Sequence, residues 1–326
     1  MQRRPDVMSS KHPGPPGIID TIADGLSVAL AHPLLMLIPM LVDLYYWLGW
    51  KVVPAALTDR LAQVVRNANL ADAQQYLDAL KEMGGWDLTV LIALFVPSML
   101  GGLSTNHLFQ VWDRPVVRLD GWWLVCLMIA VLGVLATGIF MAYTVPLADA
   151  AMGRIRGATQ IARAILIAWV RFIGLIAVIV GLGLLFGIPA LLGVAIFLVI
   201  GVNLGPLVGS LAVTFGLAAA IFLYFAVDAI VVLEVGPLRA IYYSFNVVRR
   251  NFWPTVGFIA AAILISTGLP EVWQRLVDSP PGLLVAVIAH AFFAGGLAMA
   301  SMIFFNDRLR QWRPDVAIQT ASTHTP

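Results

Sequence analysis

The chain has 326 residues, 60% of them hydrophobic and only 12% charged, with a mean hydropathy of +0.89 and a formal net charge of +2. Ordinary soluble domains carry roughly 25% charged residues, so this composition excludes a soluble globular protein, and the near-neutral balance gives nucleic-acid binding no support. The lone Cys126 excludes an internal disulfide and a cysteine metal cluster, and its apolar surroundings read as a buried structural thiol.

At the N-terminus, Arg3 and Arg4 precede an apolar segment and Ala29-Leu30-Ala31 has the outline of a cleavage site. Asp20 and Asp24 interrupt the apolar core that a signal peptide needs. Residues 1–16, with Pro5, Pro13, Pro15 and Pro16, therefore read as a flexible cytoplasmic tail. Residues 17–312 read as a single integral membrane domain, and 313–326 as a second flexible cytoplasmic tail.

A span needs about 20 apolar residues, and six runs qualify: Leu26–Trp50, Trp122–Pro146, Ile165 to about Gly187, Val208–Val235, about Phe252 to Leu269, and Leu283–Phe305. The stretch Ile165–Val235 is the strongest signal, with only Arg171, Asp228 and Glu234 charged in 71 residues. The fold expected is an all-α polytopic bundle of about six spans with amphipathic interfacial helices. Between the first two spans, residues 51–121 read as an outer segment. Leu57, Leu61, Val64 and Ala68, then Tyr76, Leu77 and Leu80, mark two amphipathic helices there, with Gly84-Gly85 as a stop.

Two shorter apolar blocks are settled by the placement of basic residues. With six spans and both termini inside, Arg154, Arg156, Arg163, Arg239, Arg249, Arg250, Arg308 and Arg310 all fall on the cytoplasmic side. Counting Leu88–Leu103 as a full span would put either the Arg154–Arg163 loop or the N-terminal tail outside, so that block reads as re-entrant or interfacial. Pro189–Asn203, bracketed by Pro189 and Pro206, reads as an extension or a bent, half-inserted piece of the third or fourth span. Trp47, Trp50, Trp86, Trp122, Trp123, Trp253 and Trp273 sit at span ends, as interfacial anchors do.

A repeated unit is visible. After Gly236-Pro237, Leu238, Ile241, Phe245, Val248 and Phe252 define an apolar face, opposite Arg239, Asn246, Arg249 and Arg250. Gly153, Arg156, Arg163, Trp169 and Gly174 align with Gly236, Arg239, Asn246, Phe252 and Gly257 at an offset of 83. Gly17–Leu26, with Ile18, Ile19, Ile22 and Leu26, suggests a third copy, so three interfacial helices each followed by a membrane hairpin would account for six spans. The candidate lipid-headgroup contacts are Arg154, Arg156, Arg163, Arg239, Arg249 and Arg250.

The segments Glu234-Val-Gly-Pro-Leu-Arg-Ala240, Ser244 and Val248-Arg-Arg-Asn-Phe-Trp-Pro254 resemble the cytoplasmic motif of a bacterial superfamily typified by the membrane part of glycerophosphodiester phosphodiesterases and related six-span proteins. The resemblance is strongest over Ile165–Phe305. His32-Pro-Leu-Leu35, Val96-Pro-Ser-Met-Leu100 and the ending Phe305-Asn-Asp-Arg-Leu-Arg310 add to it, although the order Asp307-Arg308-Leu309 departs from the family's Asp-Leu-Arg close. The resemblance implies a bacterial membrane fold and no reaction, because the family's phosphodiesterase activity belongs to a separate soluble domain.

Asp43, Asp228 and His290 are the candidate intramembrane polar site, since an ionisable residue in a span is a functional candidate by default. Asp43 lies near the outer end of the first span, where it can reach water, and reads as structural or interfacial. Asp228 and Glu234, six residues apart, point in different directions on a helix; Glu234 is expected to pair with Arg239 or a neighbouring arginine. No histidine spacing suits a metal, and no phosphate loop or nucleophile elbow is present, so no catalytic, cofactor-binding or metal residues are assigned. The function expected is a non-enzymatic membrane scaffold, assembly or lipid-interacting factor of the bacterial cytoplasmic membrane. Its expected partners are membrane lipids and other membrane proteins. The alternative is a transporter or permease using broken helices around Pro189 and Pro206 with Asp43 and Asp228.

Overall fold

The computed structural model describes residues 16–67, 74, 77, 87–100, 114–273, 275–277 and 279–317. Among the described residues five helices are long and apolar enough to cross a membrane, or six if one bent pair counts as a span, and the protein is a multi-pass membrane protein. Helices dominate because backbone groups in lipid have no water to bond and must be satisfied within their own segment. In chain order they are α1 (Ile18–Ala31), α2 (Leu37–Leu48), α3 (Ala55–Asn67), the single turn α4 (Val90–Ala93), α5 (Trp122–Ala151), α6 (Ala158–Val199), α7 (Gly205–Phe222), α8 (Ala226–Leu233), α9 (Pro237–Arg250), α10 (Phe252–Trp273) and α11 (Pro280–Trp312). Two short strands, β1 (Lys51–Val53) and β2 (Val116–Arg118), pair in parallel with Lys51 opposite Val116.

Three expectations about the spans need correction. The first span is not one straight helix: α1 and the segment Pro33–Leu48 meet at 95°, at His32, where Pro33 ends the upstream helix. Of the two readings of Pro189–Asn203 the structure bears out the extension of the third span and not the bent, half-inserted piece, because the backbone stays helical through Pro189. Helix α6 runs through it to Val199, 42 residues or about 63 Å, roughly twice the hydrocarbon thickness. Proline lacks the amide that would bond the carbonyl four residues back, and membrane helices tolerate this where local adjustment or a neighbouring group re-satisfies that carbonyl. The chain then turns at Gly201, whose φ of +82° suits glycine, and Pro206 falls in the first turn of α7, where a proline fits. The break in the fourth span lies instead at Leu223–Phe225, between α7 and α8.

The block Leu88–Leu100 contains only α4 and irregular backbone, packed against α2, α5 and α11. Its remainder to Leu103, like the Tyr76–Leu80 helix, lies outside the described residues apart from positions 74 and 77. The strand pair was not foreseen; Asp87 organises it by accepting from the Val52 amide (3.1 Å) and pairing with Arg114 (2.9 Å). Cys126 is exposed rather than buried, because it lies on the outward face of α5.

The structure contains the repeat, in a different register. Helices α1 and α9 are both 14 residues long, and both start at an extended N-cap glycine, Gly17 (φ −64°, ψ 165°) and Gly236 (φ −73°, ψ 167°). Both end at a residue of nearly the same conformation, His32 (φ −129°, ψ 57°) and Asn251 (φ −124°, ψ 41°). They bury three equivalent positions counted from the glycine, Thr21, Gly25 and Ala29 in one and Ala240, Ser244 and Val248 in the other, and α9 buries Val247 as well. Helix α6 opens on a third such glycine, Gly157 (φ −71°, ψ 159°), but continues without the later break. Gly157 therefore matches Gly236, an offset of 79. The offset of 83 does not hold at the helix starts, but it does hold beyond the break at Asn251, where Gly174 and Gly257 each lie against the first residue of the next amphipathic helix, Pro237 and Ile18. In the new register Asp149 of α5 matches Asp228 of α8, eight residues ahead of each glycine, and both are buried.

The three helices that precede these glycines in the cycle, α5, α8 and α11, touch one another and supply most of the core. Each amphipathic segment packs on the preceding one of the three: the start of α6 on α5, α9 on α8, and α1 back onto α11. Apolar burial gives little drive between helices in lipid, so close packing must hold them. Phe258 and Phe304 stack at 4.8 Å, Phe225 lies 5.6 Å from Phe304, and Trp169 of α6 donates to Thr137 of α5 at 3.0 Å.

Candidate functional site

One end of the bundle collects the starts of α6 and α9 and the end of α11. Helix α8 stops at Glu234, whose left-handed conformation (φ 53°, ψ 40°) is the helix-ending geometry usually taken by glycine. The last carbonyls of α8 would be orphaned there. Arg154 donates to the Val231 carbonyl at 3.4 Å and to that of Val232, and Arg171 donates to the Glu234 carbonyl. The Glu234 carboxylate pairs with Arg156 and, at 3.4 Å, with Arg154, while Asp149 lies 3.3 Å from Arg156 and 3.5 Å from Arg154. Burial, then the neighbouring Arg156, pushes the Arg154 pKa down, and Asp149 and Glu234 oppose that. Guanidinium groups stay charged regardless, and positive charge at a helix C-terminus complements its dipole.

This geometry divides the six candidate headgroup arginines. Arg154 and Arg156 are committed to the internal network with Asp149 and Glu234, so Glu234 pairs across the loop with them and not with Arg239. Arg163, Arg239 and Arg249 are exposed, and no hydrogen bond or ion pair holds them among the described residues. Arg250, also exposed, lies over the Trp312 ring at 4.7 Å. The free basic edge is thus the start of α6 plus the outer face of α9. Replacing Arg154 with Met should cost about 1–3 kcal/mol by orphaning carbonyls of α8, visible as a lower melting temperature in detergent. An unchanged midpoint would show that the network does not hold the loop.

The three intramembrane candidates do not form one constellation. Asp43 is fully buried; its Oδ1 accepts from the Ser98 hydroxyl at 2.6 Å and the Leu100 amide at 3.0 Å, which satisfies part of the irregular Leu88–Leu100 backbone. Asp228 accepts from Ser301 of α11 at 2.5 Å. Asp43 shares a pocket with Val287, fourteen residues before Ser301 on α11, so the two acids sit at levels about 21 Å apart along that helix. His290 is buried between those levels.

Sequence reasoning missed Ser244. Its hydroxyl accepts from the Phe225 amide at 3.1 Å and donates to the Phe222 carbonyl at 2.8 Å, bridging the break between α7 and α8 from a helix twenty residues later. A small polar residue on the apolar face of an amphipathic helix was the available signal. Among the described residues no group of three or more His, Cys, Asp or Glu side chains is placed to hold a metal ion.

Fold and site together define a multi-pass α-helical membrane protein with a basic rim at one end. No family model, curated protein or solved structure matches the chain.

Proposed function

We propose that the protein is a non-enzymatic scaffold, assembly or lipid-interacting factor of the bacterial cytoplasmic membrane. Both termini are cytoplasmic, and the free basic edge grips anionic headgroups. The observation that carries this reading is the division among the arginines: Arg163, Arg239 and Arg249 have no protein partner among the described residues, and the stacked Arg250 still presents its charge beside them. Their helices join the bundle through apolar faces, which leaves the basic side for headgroups. The resemblance to the phosphodiesterase membrane domains is consistent with a membrane role and assigns no reaction.

Each cation near an anionic surface is worth about 1 kcal/mol. Arg249→Gln with Arg250→Gln should therefore lower retention of anionic over zwitterionic lipid about 10- to 30-fold, read by native mass spectrometry of protein released from mixed-lipid nanodiscs. Equal retention would count decisively against the reading. One observation favours the transporter alternative: Asp228 lies three residues beyond the break at Leu223–Phe225, and buried acids beside broken spans serve coupled transport. Solute flux in proteoliposomes that is lost in Asp228→Asn would support that alternative, and flux that persists would remove Asp228 from it.

A further inference from the structure

Of the three guanidiniums gathered around Glu234, Arg154 and Arg156 pair with carboxylates and Arg171 does not. Arg171 stands on α6 fourteen residues after Gly157, as Arg250 stands fourteen after Gly236 on α9, so it falls at the end of an amphipathic segment. Its Nη1 donates to the Glu234 carbonyl. Among the described residues its Nε and Nη2 have no protein partner, and neither is sealed from the surface. Arg156 engages the Glu234 carboxylate through Nη2 and faces Asp149 with Nε at 3.3 Å, which leaves its Nη1.

A cavity of about 50 Å³ lies where these two arginines converge. Helix α6 supplies Ala164, Ile167 and Arg171 to its wall, at spacings of three and four, the end of α8 supplies Ile230 and Glu234, and Arg156 completes it. The volume is several times the roughly 10–15 Å³ that one water needs, and it suits a phosphate group rather than a whole lipid. Ile167, with Leu166 and Val170 beside it, is exposed, so the mouth opens onto an apolar side of α6. Three guanidiniums against the carboxylates of Asp149 and Glu234 leave the cluster at least one positive charge in excess. A cation held near a membrane surface attracts anionic lipid, and the planar fork of an arginine matches two oxygens of one phosphate. The Glu234 carboxylate does not bar that anion, because Arg154 and Arg156 both hold its Oε1.

We propose that this cavity is a discrete binding site for the phosphodiester of one anionic phospholipid. Arg171 donates from Nε and Nη2 to the two non-bridging oxygens, Arg156 adds a bond from Nη1, and the acyl chains leave past Ile167 along α6. The proposal deepens the lipid-binding reading and shares its premise that headgroups surround this end of the bundle. It rests on Arg171 and a cavity instead of on the open edge of Arg163, Arg239, Arg249 and Arg250, so the two can fail separately.

Native mass spectrometry of the full chain, released from nanodiscs of mixed phosphatidylglycerol and phosphatidylcholine, tests it. One phosphatidylglycerol should outlast all other lipid as collisional activation is raised. Arg171→Gln should lower the occupancy of that last adduct about tenfold or more, the loss of one charge-assisted hydrogen bond. Ile167→Trp changes no charge or hydrogen bond and caps the mouth from the lipid side, so it should remove the same adduct. A last adduct as resistant in Arg171→Gln as in the unsubstituted protein would overturn the site, and the edge reading would stand if Arg249→Gln with Arg250→Gln still lowered total retention. A last adduct lost in Arg171→Gln while the double variant retains lipid normally would support the site and remove the edge. Inorganic phosphate in excess over short-chain phosphatidylglycerol, both added to delipidated protein, should leave the lipid adduct in place; displacement would make this an ion site and overturn the lipid assignment. Should Arg171→Gln not fold, Ile167→Trp decides alone: a last adduct undiminished there overturns the proposal.

Discussion

Gly25→Ala should strongly destabilise the protein. A methyl at Gly25 would lie 2.6 Å from both the amide nitrogen and the Cβ of Ala300, and closer still to the Gly296 carbonyl. Real Cβ atoms do not approach backbone that closely, so α1 must move off α11, losing the contact that closes the ring of amphipathic helices. Overpacking typically costs 1–3 kcal/mol, and about 3 kcal/mol or more is expected here because backbone atoms form the obstacle. Gly209 and Gly187 are the internal controls: nothing lies within 4 Å of a Cβ built there. Alanine at either should be neutral or slightly stabilising, since glycine costs about 1 kcal/mol against alanine in a helix. Thermal unfolding in one detergent reads all three, and equal midpoints for Gly25→Ala and Gly209→Ala would refute the α1–α11 contact.

Ser244→Ala should be the second large loss. An interhelical hydrogen bond in a membrane protein averages about 0.6 kcal/mol, which would make most serines there expendable. Ser244 differs because it serves both sides of a helix break, and its loss orphans the Phe225 amide and the Phe222 carbonyl, at about 1–3 kcal/mol each. Ser210 bonds only the Leu207 carbonyl of its own helix and is exposed, so Ser210→Ala should shift stability by no more than about 0.5 kcal/mol. A Ser244→Ala protein as stable as Ser210→Ala would mean that the break is satisfied in some other way.

The membrane class and most spans were legible because lipid dictates composition directly: a span without charges leaves its mark on every residue. Helix α9 was legible for a related reason, its apolar and basic faces alternating at helical spacing. Local signals failed where the deciding partner is distant. Pro189 looked like a boundary, yet α6 runs through it, because whether a proline breaks a membrane helix depends on how the freed carbonyl is re-satisfied in three dimensions. Ser244 and Phe225 are close only after two helices fold together, and Arg154 and Glu234 belong to loops eighty residues apart. The repeat was visible as a pattern, but its register depended on backbone conformations at Gly17, Gly157 and Gly236 that sequence does not display. At the site, the arginines on the face opposite the apolar side of α9 were recognisable as a group. Which of the six had been claimed by Asp149 and Glu234 required the fold.

The central claim is that the three amphipathic segments share one face of the membrane, with the chain making an even number of crossings. Single-cysteine variants in a Cys126→Ala background, probed with a membrane-impermeant thiol reagent on intact cells and on inverted vesicles, test it most directly. Gly157 is suited to substitution, because nothing lies within 4 Å of a Cβ there and its φ is negative. Gly157→Cys, Arg239→Cys and Asp315→Cys should react only in inverted vesicles, and Asp120→Cys and Arg275→Cys only on intact cells. Reaction of Gly157→Cys from the same side as Arg275→Cys would contradict the three-unit arrangement.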